Sequence, residues 1–411
     1  ALAIVGMYEL MRRLVGRRVA LLAALLIAFD PWFMAHTRIL HVDAPLAYFM
    51  FLSFLAFWVY LGRGGWGWLA LSGVCGALGA LSKTPGVILG VILITSGLIY
   101  ALHPSPSSAA ANQSAVQIPA WARWRRFVLA LAVWVVVAGV AFYALWPSMW
   151  VDPGRALSWI TENARIAMQT NHPTTGVFWG ADSPRPPMMD NPVSDLVRAK
   201  LPRLLRGADR NPLYYVISLP FHLSPLTCLG LLVGLVATWR YRRQRSLLLA
   251  LWLYAILFIV PVSLVGRRGD RYILPVYLAL DLLAAVALAW LMQLTGPVLT
   301  QGAGLASPEL GRVTSRPPTG GRRRMVLAVL LIAQVIGVLW LHPYYFNYFN
   351  PLLGGGLTAP YLINIGWGEG LDQAASYLNQ LPGVDRANVA AWYSGQFAPF
   401  FKGQTIDMAS N

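Results

Sequence analysis

Charge is what this sequence lacks most. Asp, Glu, Lys and Arg make up 12% of its 411 residues, about half the share in an ordinary soluble chain, which excludes a water-soluble globular protein of this length. Acid is the scarcer sign, with 16 Asp and Glu against 32 Lys and Arg. Cysteine is nearly missing. Cys75 and Cys228 both lie in apolar runs, which excludes a disulfide framework or a cysteine-based zinc site and leaves two small buried hydrophobes. The opening residues ALAIVGMYEL carry neither the charged start nor the cleavage site of a secretory signal peptide. No internal repeat is visible, which weighs against an inverted-repeat transporter.

Hydrophobic residues fill 57% of the chain. Apolar runs of about 20 residues recur, each long enough to cross a hydrocarbon core of about 30 Å, where every backbone group must be satisfied internally by a helix. Residues 1–10 read as the second half of a span. Further spans are expected at 19–36, 44–62, 66–82, 84–102, 127–146, 213–238, 247–266, 272–294 and 325–342. The fold class is therefore an all-α polytopic membrane protein, with about nine spans after a partial first one. The chain is expected to be a piece truncated at both ends. Its transmembrane module would cover residues 1–342, and 343–411 would begin a small outer α/β domain. In that second part, 368–380 has a helical pattern and VAAWYS at 389–394 reads as a strand.

The formal charge of +16 could suggest nucleic acid, but its distribution does not. Arg12, Arg13, Arg17 and Arg18, then Arg63, then Arg123, Arg125 and Arg126, then Arg240, Arg242, Arg243 and Arg245, and finally Arg312, Arg316 and Arg322 to Arg324 sit in short breaks between spans. With the spans counted as above, all fall on one side, which the positive-inside rule makes the cytoplasm. The breaks 103–118 and 296–321 are low in complexity and read as linkers. The large outer loop is 147–212. Its stretch DPGRALSWITENARIAMQT fits an amphipathic helix lying at the interface, with Trp159 near the headgroups.

Several ionisable residues break the charge rule by lying on the outer side. Lys83 sits in a tight turn beside Pro85, Arg267, Arg268, Asp270 and Arg271 crowd one outer break, and Arg38 and Asp43 flank another, TRILHVDAPL. Cations gathered on the disfavoured side fit an anionic lipid phosphate, which arginine binds bidentately. The plain alternatives are snorkelling to headgroups for a single arginine and an Asp270–Arg271 pair. Asp30 and Asp281, inside spans, would hydrogen-bond neighbouring helices. His36 and His41 have no acidic companions at metal spacing and read as interfacial.

The order of motifs carries a resemblance. TRILHVDAPLAYF, GALGALSKTPGVIL, NHPTTGVFWG, YYVISLPFHLSPLTCLGLLVGL, GRRGDRYILPVYLAL and HPYYFNYFNPLLGG followed by GWGEGLDQAASYLN together resemble dolichyl-phosphate-mannose protein mannosyltransferase-like enzymes. That superfamily also includes the aminoarabinose lipid A transferases. The resemblance implies the C-type glycosyltransferase fold, a helical membrane bundle with outer loops shaping a cavity. It implies an inverting hexosyl- or pentosyltransferase of the cell membrane, which moves a sugar from a polyprenyl-phosphate-linked donor to an acceptor hydroxyl on the outer face. The acceptor, a protein, a lipid or a glycan, stays open.

Carried over by position, Arg271, with Lys83 and Arg268, would hold the donor phosphate, and Arg38 and Tyr272 would take part in binding substrate. Asp43 matches a second acidic position that orders the acceptor or a neighbouring cation, and His172 and Trp179 would line the cavity. The family's principal catalytic acid lies in a loop before residue 1. A divalent metal is bound in some relatives and not required in others, so the resemblance leaves the metal open. A polyprenyl-linked lipid transporter or flippase would use similar outward cations and is the competing reading. A non-catalytic membrane scaffold is the third.

Overall fold

The computed structural model describes residues 1–103, 119–169, 213–264, 269–292, 320–363, 367–391 and 393–408. It bears out the all-α polytopic class. Among the described residues, Asp43–Arg63, Thr84–Leu102, Ala120–Leu145, Arg242–Leu264 and Asp270–Leu291 are each long and apolar enough to cross a membrane alone. In chain order the first helices are α1 (Leu2–Val15), α2 (Arg17–Ala28), α3 (Pro31–Arg38), α4 (Asp43–Arg63), α5 (Trp66–Ser82), α6 (Ile88–Leu102) and α7 (Ala120–Leu145). Helices Pro153–Gln169, Tyr214–His222, Pro225–Arg240, Arg245–Leu264, Leu274–Leu291 and Gly320–Trp340 follow.

Two expected spans are broken, and for the same reason. The run 19–36 bends by 60° between α2 and α3, where Asp30 accepts a hydrogen bond from the Phe33 N–H at 2.6 Å and Pro31 starts the new helix. The run 213–238 stops at His222, and a new helix starts at Pro225, where the Ser224 hydroxyl accepts from the Thr227 N–H at 3.1 Å. A short polar cap followed by proline is a helix start, because proline has no N–H to give to the preceding turn. α2 and α3 together still pass as one apolar run, so apolarity alone does not reveal the break between them.

The chain forms two compact units, Ala1–His172 with Leu223–Ile336, and Pro173–His222 with Gly337–Asn411. In the first, helix Leu274–Leu291 is the centre: every residue from Leu274 to Ala289 is buried. α4 is nearly as enclosed. α7 is the opposite, with Phe127 and Ala130 its only buried residues among those described. It packs on α5 through small residues. A Cβ added at Gly73 would lie 2.6 Å from Val137, and one at Gly76 would lie 2.6 Å from the Trp134 ring. Such close approach is how apolar helices associate without a hydrophobic driving force. Ser53 and Ser72 tie α4 to α5 by donating to each other's backbone carbonyls at 2.7 and 2.8 Å.

Basic residues gather at one end of this unit. Arg63 donates to the Arg13 carbonyl at 2.7 Å, Arg126 to the Leu61 carbonyl at 3.0 Å and Arg123 to the Ala101 carbonyl at 3.2 Å. Asp43 stands at the other end of α4, a helix of 21 residues and hence about 30 Å long at about 1.5 Å per residue. Helix Pro153–Gln169 forms over the amphipathic stretch, with Leu157, Trp159 and Ile166 exposed.

The second unit holds two small cores. Phe221 packs with Ala359, Leu362 and Ile363, and Asn350, buried, donates to the Phe221 carbonyl from its backbone and to the Pro220 carbonyl from its side chain. Ala375, Val384, Phe397 and Phe401 form the other core. The helical pattern expected near 368–380 becomes helix Leu371–Leu378. The expected strand becomes β1 (Asn388–Ala391), paired in parallel with β2 (Gln404–Asp407).

Candidate functional site

The ends of three apolar helices bring charged residues together in the first unit. α4 begins at Asp43, where a carboxylate suits the partial positive charge of a helix start. Lys83 follows the last residue of α5 in extended backbone, and a single 3-10 turn, Thr84–Val87, leads back into α6. Gly86 makes that turn: a Cβ there would meet the Gly79 carbonyl carbon and oxygen at 2.6 Å, so only glycine lets the backbone lie so close to α5. Arg271 and Tyr272 occupy a 3-10 turn, Asp270–Ile273, just before the central helix, with Pro275 in the first turn of that helix.

Asp43 is the centre of the cluster. One carboxylate oxygen, Oδ1, accepts from Lys83 Nζ at 2.5 Å. The other lies 2.8 Å from His41 Nδ1 and 3.8 Å from Arg271 Nε. Arg271 Nη1 is 3.5 Å from His41 Nε2, so the imidazole sits between acid and guanidinium. The Tyr272 ring backs both cations, with Lys83 Nζ 4.3 Å and the Arg271 guanidinium carbon 5.3 Å from its centroid, within the range of a cation–π contact.

Exposure divides the roles. The Asp43 side chain is 1% exposed, those of Lys83 and Arg271 24% and 32%. The carboxylate is sealed while both cations reach outward. Two cations on one carboxylate leave a single positive charge in excess, which water or an anion must meet. His41 adds none at neutral pH: burial foremost, then Arg271 and Lys83, hold its pKa below the usual histidine value, against the opposing pull of Asp43.

The expected site residues therefore divide. Asp43, Lys83, Arg271 and Tyr272 converge. Arg38 is exposed at the C-terminal end of α3. Arg268, with Arg267, and His172 and Trp179 lie outside the described residues. His41, read as interfacial rather than as a metal ligand, joins the cluster through Asp43, 2.8 Å away and two positions along the chain. The signal for this pairing is His-x-Asp at a loop–helix junction, where spacing of two brings side chains together as it would not within a helix. His36 is buried and packs edge-on against Trp32. Among the described residues, no three His, Cys, Asp or Glu side chains gather as a metal site.

The buried acids inside the spans keep to hydrogen bonding. Asp281 accepts from the Thr227 hydroxyl at 2.7 Å, Thr227 is joined to Ser224, and Ser224 to Gln334, whose amide donates to the Phe29 carbonyl at 3.1 Å. This chain of polar groups ties the central helix to helices Pro225–Arg240 and Gly320–Trp340 and to the α2–α3 break.

Residues 1–116 match the family described as dolichyl-phosphate-mannose-protein mannosyltransferase, which bears out the sequence resemblance over that stretch. No curated protein matches the chain. Among solved structures, the chain is similar to the archaeal oligosaccharyltransferase AglB from Archaeoglobus fulgidus in complex with an inhibitory peptide and a dolichol-phosphate. The identity is 18% and the TM-score 0.42, over 99% of this chain and 52% of that one. It is also similar to ArnT from Cupriavidus metallidurans bound to undecaprenyl phosphate, at 17% identity and a TM-score of 0.43, over 99% of this chain and 70% of that one. The chain thus spans about half the length of the oligosaccharyltransferase it matches.

Proposed function

We propose that this chain is the membrane part of an enzyme that transfers a sugar from a polyprenyl-phosphate donor to an acceptor hydroxyl on the outer face of the cell membrane. The observation that carries this reading is the Asp43 cluster, two partly exposed cations anchored on one sealed carboxylate at the membrane end opposite the basic belt. The positive-inside rule assigns the basic end to the cytoplasm, so the cluster belongs at the outer leaflet, where a lipid phosphate would lie.

The chemistry follows from charge. The acceptor oxygen attacks the anomeric carbon from the face opposite the phosphate, the carbon–oxygen bond to phosphate breaks, and configuration inverts. The phosphate leaves with the bonding electrons and so gains negative charge. Arg271 and Lys83 hold that phosphate more tightly as its charge develops, and only interactions that strengthen in the transition state raise the rate of the chemical step. Asp43, committed to both cations, orders them; the acceptor's proton goes to another base, which the family resemblance puts in a preceding loop. Tyr272 fixes the cations from behind.

The test is transfer from a radiolabelled short-chain polyprenyl-phosphate sugar by the intact protein in membranes. Arg271→Ala is expected to cut turnover by about 10²–10³-fold, the scale for loss of one group that stabilises developing charge, while membrane insertion stays normal. Unchanged turnover in a fully inserted variant overturns the assignment.

A further inference from the structure

The second unit divides by charge. Between Arg324 and Glu369 the sequence holds no Asp, Glu, Lys or Arg, while Glu369, Asp372, Asp385, Arg386, Lys402 and Asp407 follow in the rest of the unit. Helix Gly320–Trp340 accounts for the first part of the charge-free run. At about 20 residues per span, at least a further span's length remains after that helix has ended. A domain bathed in water has no reason to lack charge over such a length.

That remainder forms short 3-10 turns, Tyr345–Asn347, Pro351–Leu353, Gly355–Leu357 and Ala359–Tyr361. Asn350 anchors them. Its side-chain amide donates to the Pro220 carbonyl at 3.0 Å and its backbone N–H to the Phe221 carbonyl at 2.6 Å, both at the end of helix Tyr214–His222, where carbonyls have no partner within the helix. Ala359, Leu362 and Ile363 pack on Phe221, with Ile217 against them. That helix opens the span expected from residue 213, which the chain enters from the large outer loop. At about 1.5 Å per residue, Pro220 lies roughly 10 Å along it from Tyr214. A turn bound there sits at the depth where headgroups meet acyl chains.

The turn itself suits lipid. The N–H groups of Leu352, Leu353, Gly354, Gly355, Leu357 and Thr358 are each paired within it, and the Thr358 hydroxyl donates to the Leu353 carbonyl. Backbone groups that lipid cannot satisfy need such partners. Gly354 permits the closure, with φ of 87° and Thr358 only 2.5 Å from where a Cβ would stand. The side chains on this backbone are apolar and outward: Leu352, Leu353 and Leu357 are 67%, 40% and 60% exposed. Clustered apolar exposure marks an interaction surface, and a run without charge that continues directly from a span points to acyl chains as its partner.

We propose that the turn Asn350–Leu357 is a lipid-contacting wedge, whose three leucines enter the headgroup–acyl boundary of the outer leaflet and hold the charged part of the second unit at the membrane surface. The proposal rests on the chain's topology and not on the transfer reaction, and its test reads no activity, so either can fail without the other.

Spin labels test this on the intact protein in vesicles of phosphatidylethanolamine and phosphatidylglycerol, with Cys75 and Cys228 replaced by Ala. Single labels are placed at Leu352→Cys and Leu357→Cys, and at Leu381→Cys, an exposed leucine in the charged part of the unit, as the reference for water. These side chains belong to neither core, and two turn positions keep the test alive if one variant fails to fold. Oxygen, which concentrates in lipid, is expected to collide with the turn labels severalfold more often than a neutral nickel chelate does, with the order reversed at 381. Turn labels that meet the chelate as readily as 381 lie in water and overturn the proposal. Turn labels that meet neither reagent are covered by protein, a second copy or a partner, and overturn it equally.

Discussion

Two buried aspartates in the first unit lie in opposite settings. Asp43, at a helix end, faces Lys83, His41 and Arg271. Asp281, in the middle of the central helix, faces the Thr227 hydroxyl and a relay of neutral groups ending at the Phe29 carbonyl. Both carboxylates are closed to solvent. The difference lies in what surrounds them. Asp43 is held by cations that themselves reach outward, so its burial serves a charged surface. Asp281 is held by hydroxyls and an amide that point inward, so its burial serves helix packing. A buried acid is a pointer to function only when its partners are exposed.

Substitution can break this comparison. Asp43→Asn keeps the shape and removes the charge that orders two cations. Turnover is expected to fall by about 10²-fold, the cost of misplacing a catalytic group by about an ångström, with a loss of stability of about 1–3 kcal/mol for the hydrogen bond left unmade. Transfer kinetics and thermal unfolding on the same preparation measure both, and near-normal turnover would make Asp43 purely structural. Asp281→Asn should behave differently: an amide oxygen still accepts from Thr227, so turnover stays within about twofold while the Tm drops by about 2–4 °C, the equivalent of about 1 kcal/mol in a protein of this class. A loss of transfer matching that of Asp43→Asn would erase the distinction.

The smallest effect concerns His41. Its pKa is lowered in the folded protein, so the unfolded chain takes up a proton first as pH falls below about 6.5. Stability contributed by the neutral ring is thus present above that value and declines towards acid, until the lowered folded pKa is passed. His41→Gln should flatten the decline of Tm between about pH 6.5 and 5. A slope identical to wild type would place His41 outside the cluster.

Much of this was legible in the sequence. Apolar runs placed the helices, and the side assigned to the arginines is the end where Arg63, Arg123 and Arg126 donate to backbone carbonyls. The convergence of Asp43, Lys83 and Arg271 was legible because each lies beside a span end and departs from the charge rule. The helix starts at Pro31 and Pro225 were not, since hydropathy is blind to a cap that replaces one backbone bond by a side-chain bond. The pairing of His41 with Asp43 was not legible from spacing, because residues two apart meet only where the chain leaves the helix.

Gly86 shows how far such an effect extends. It meets Lys83 through the backbone, its N–H donating to the Lys83 carbonyl at 2.9 Å, and its bare Cα is what allows the Thr84–Val87 turn to lie on the backbone of Gly79. One added methyl group would push that turn off α5 and swing the lysine away from its aspartate. The position of an ammonium group is therefore written in a residue with no charge and no side chain, and a survey of ionisable residues alone would pass over it.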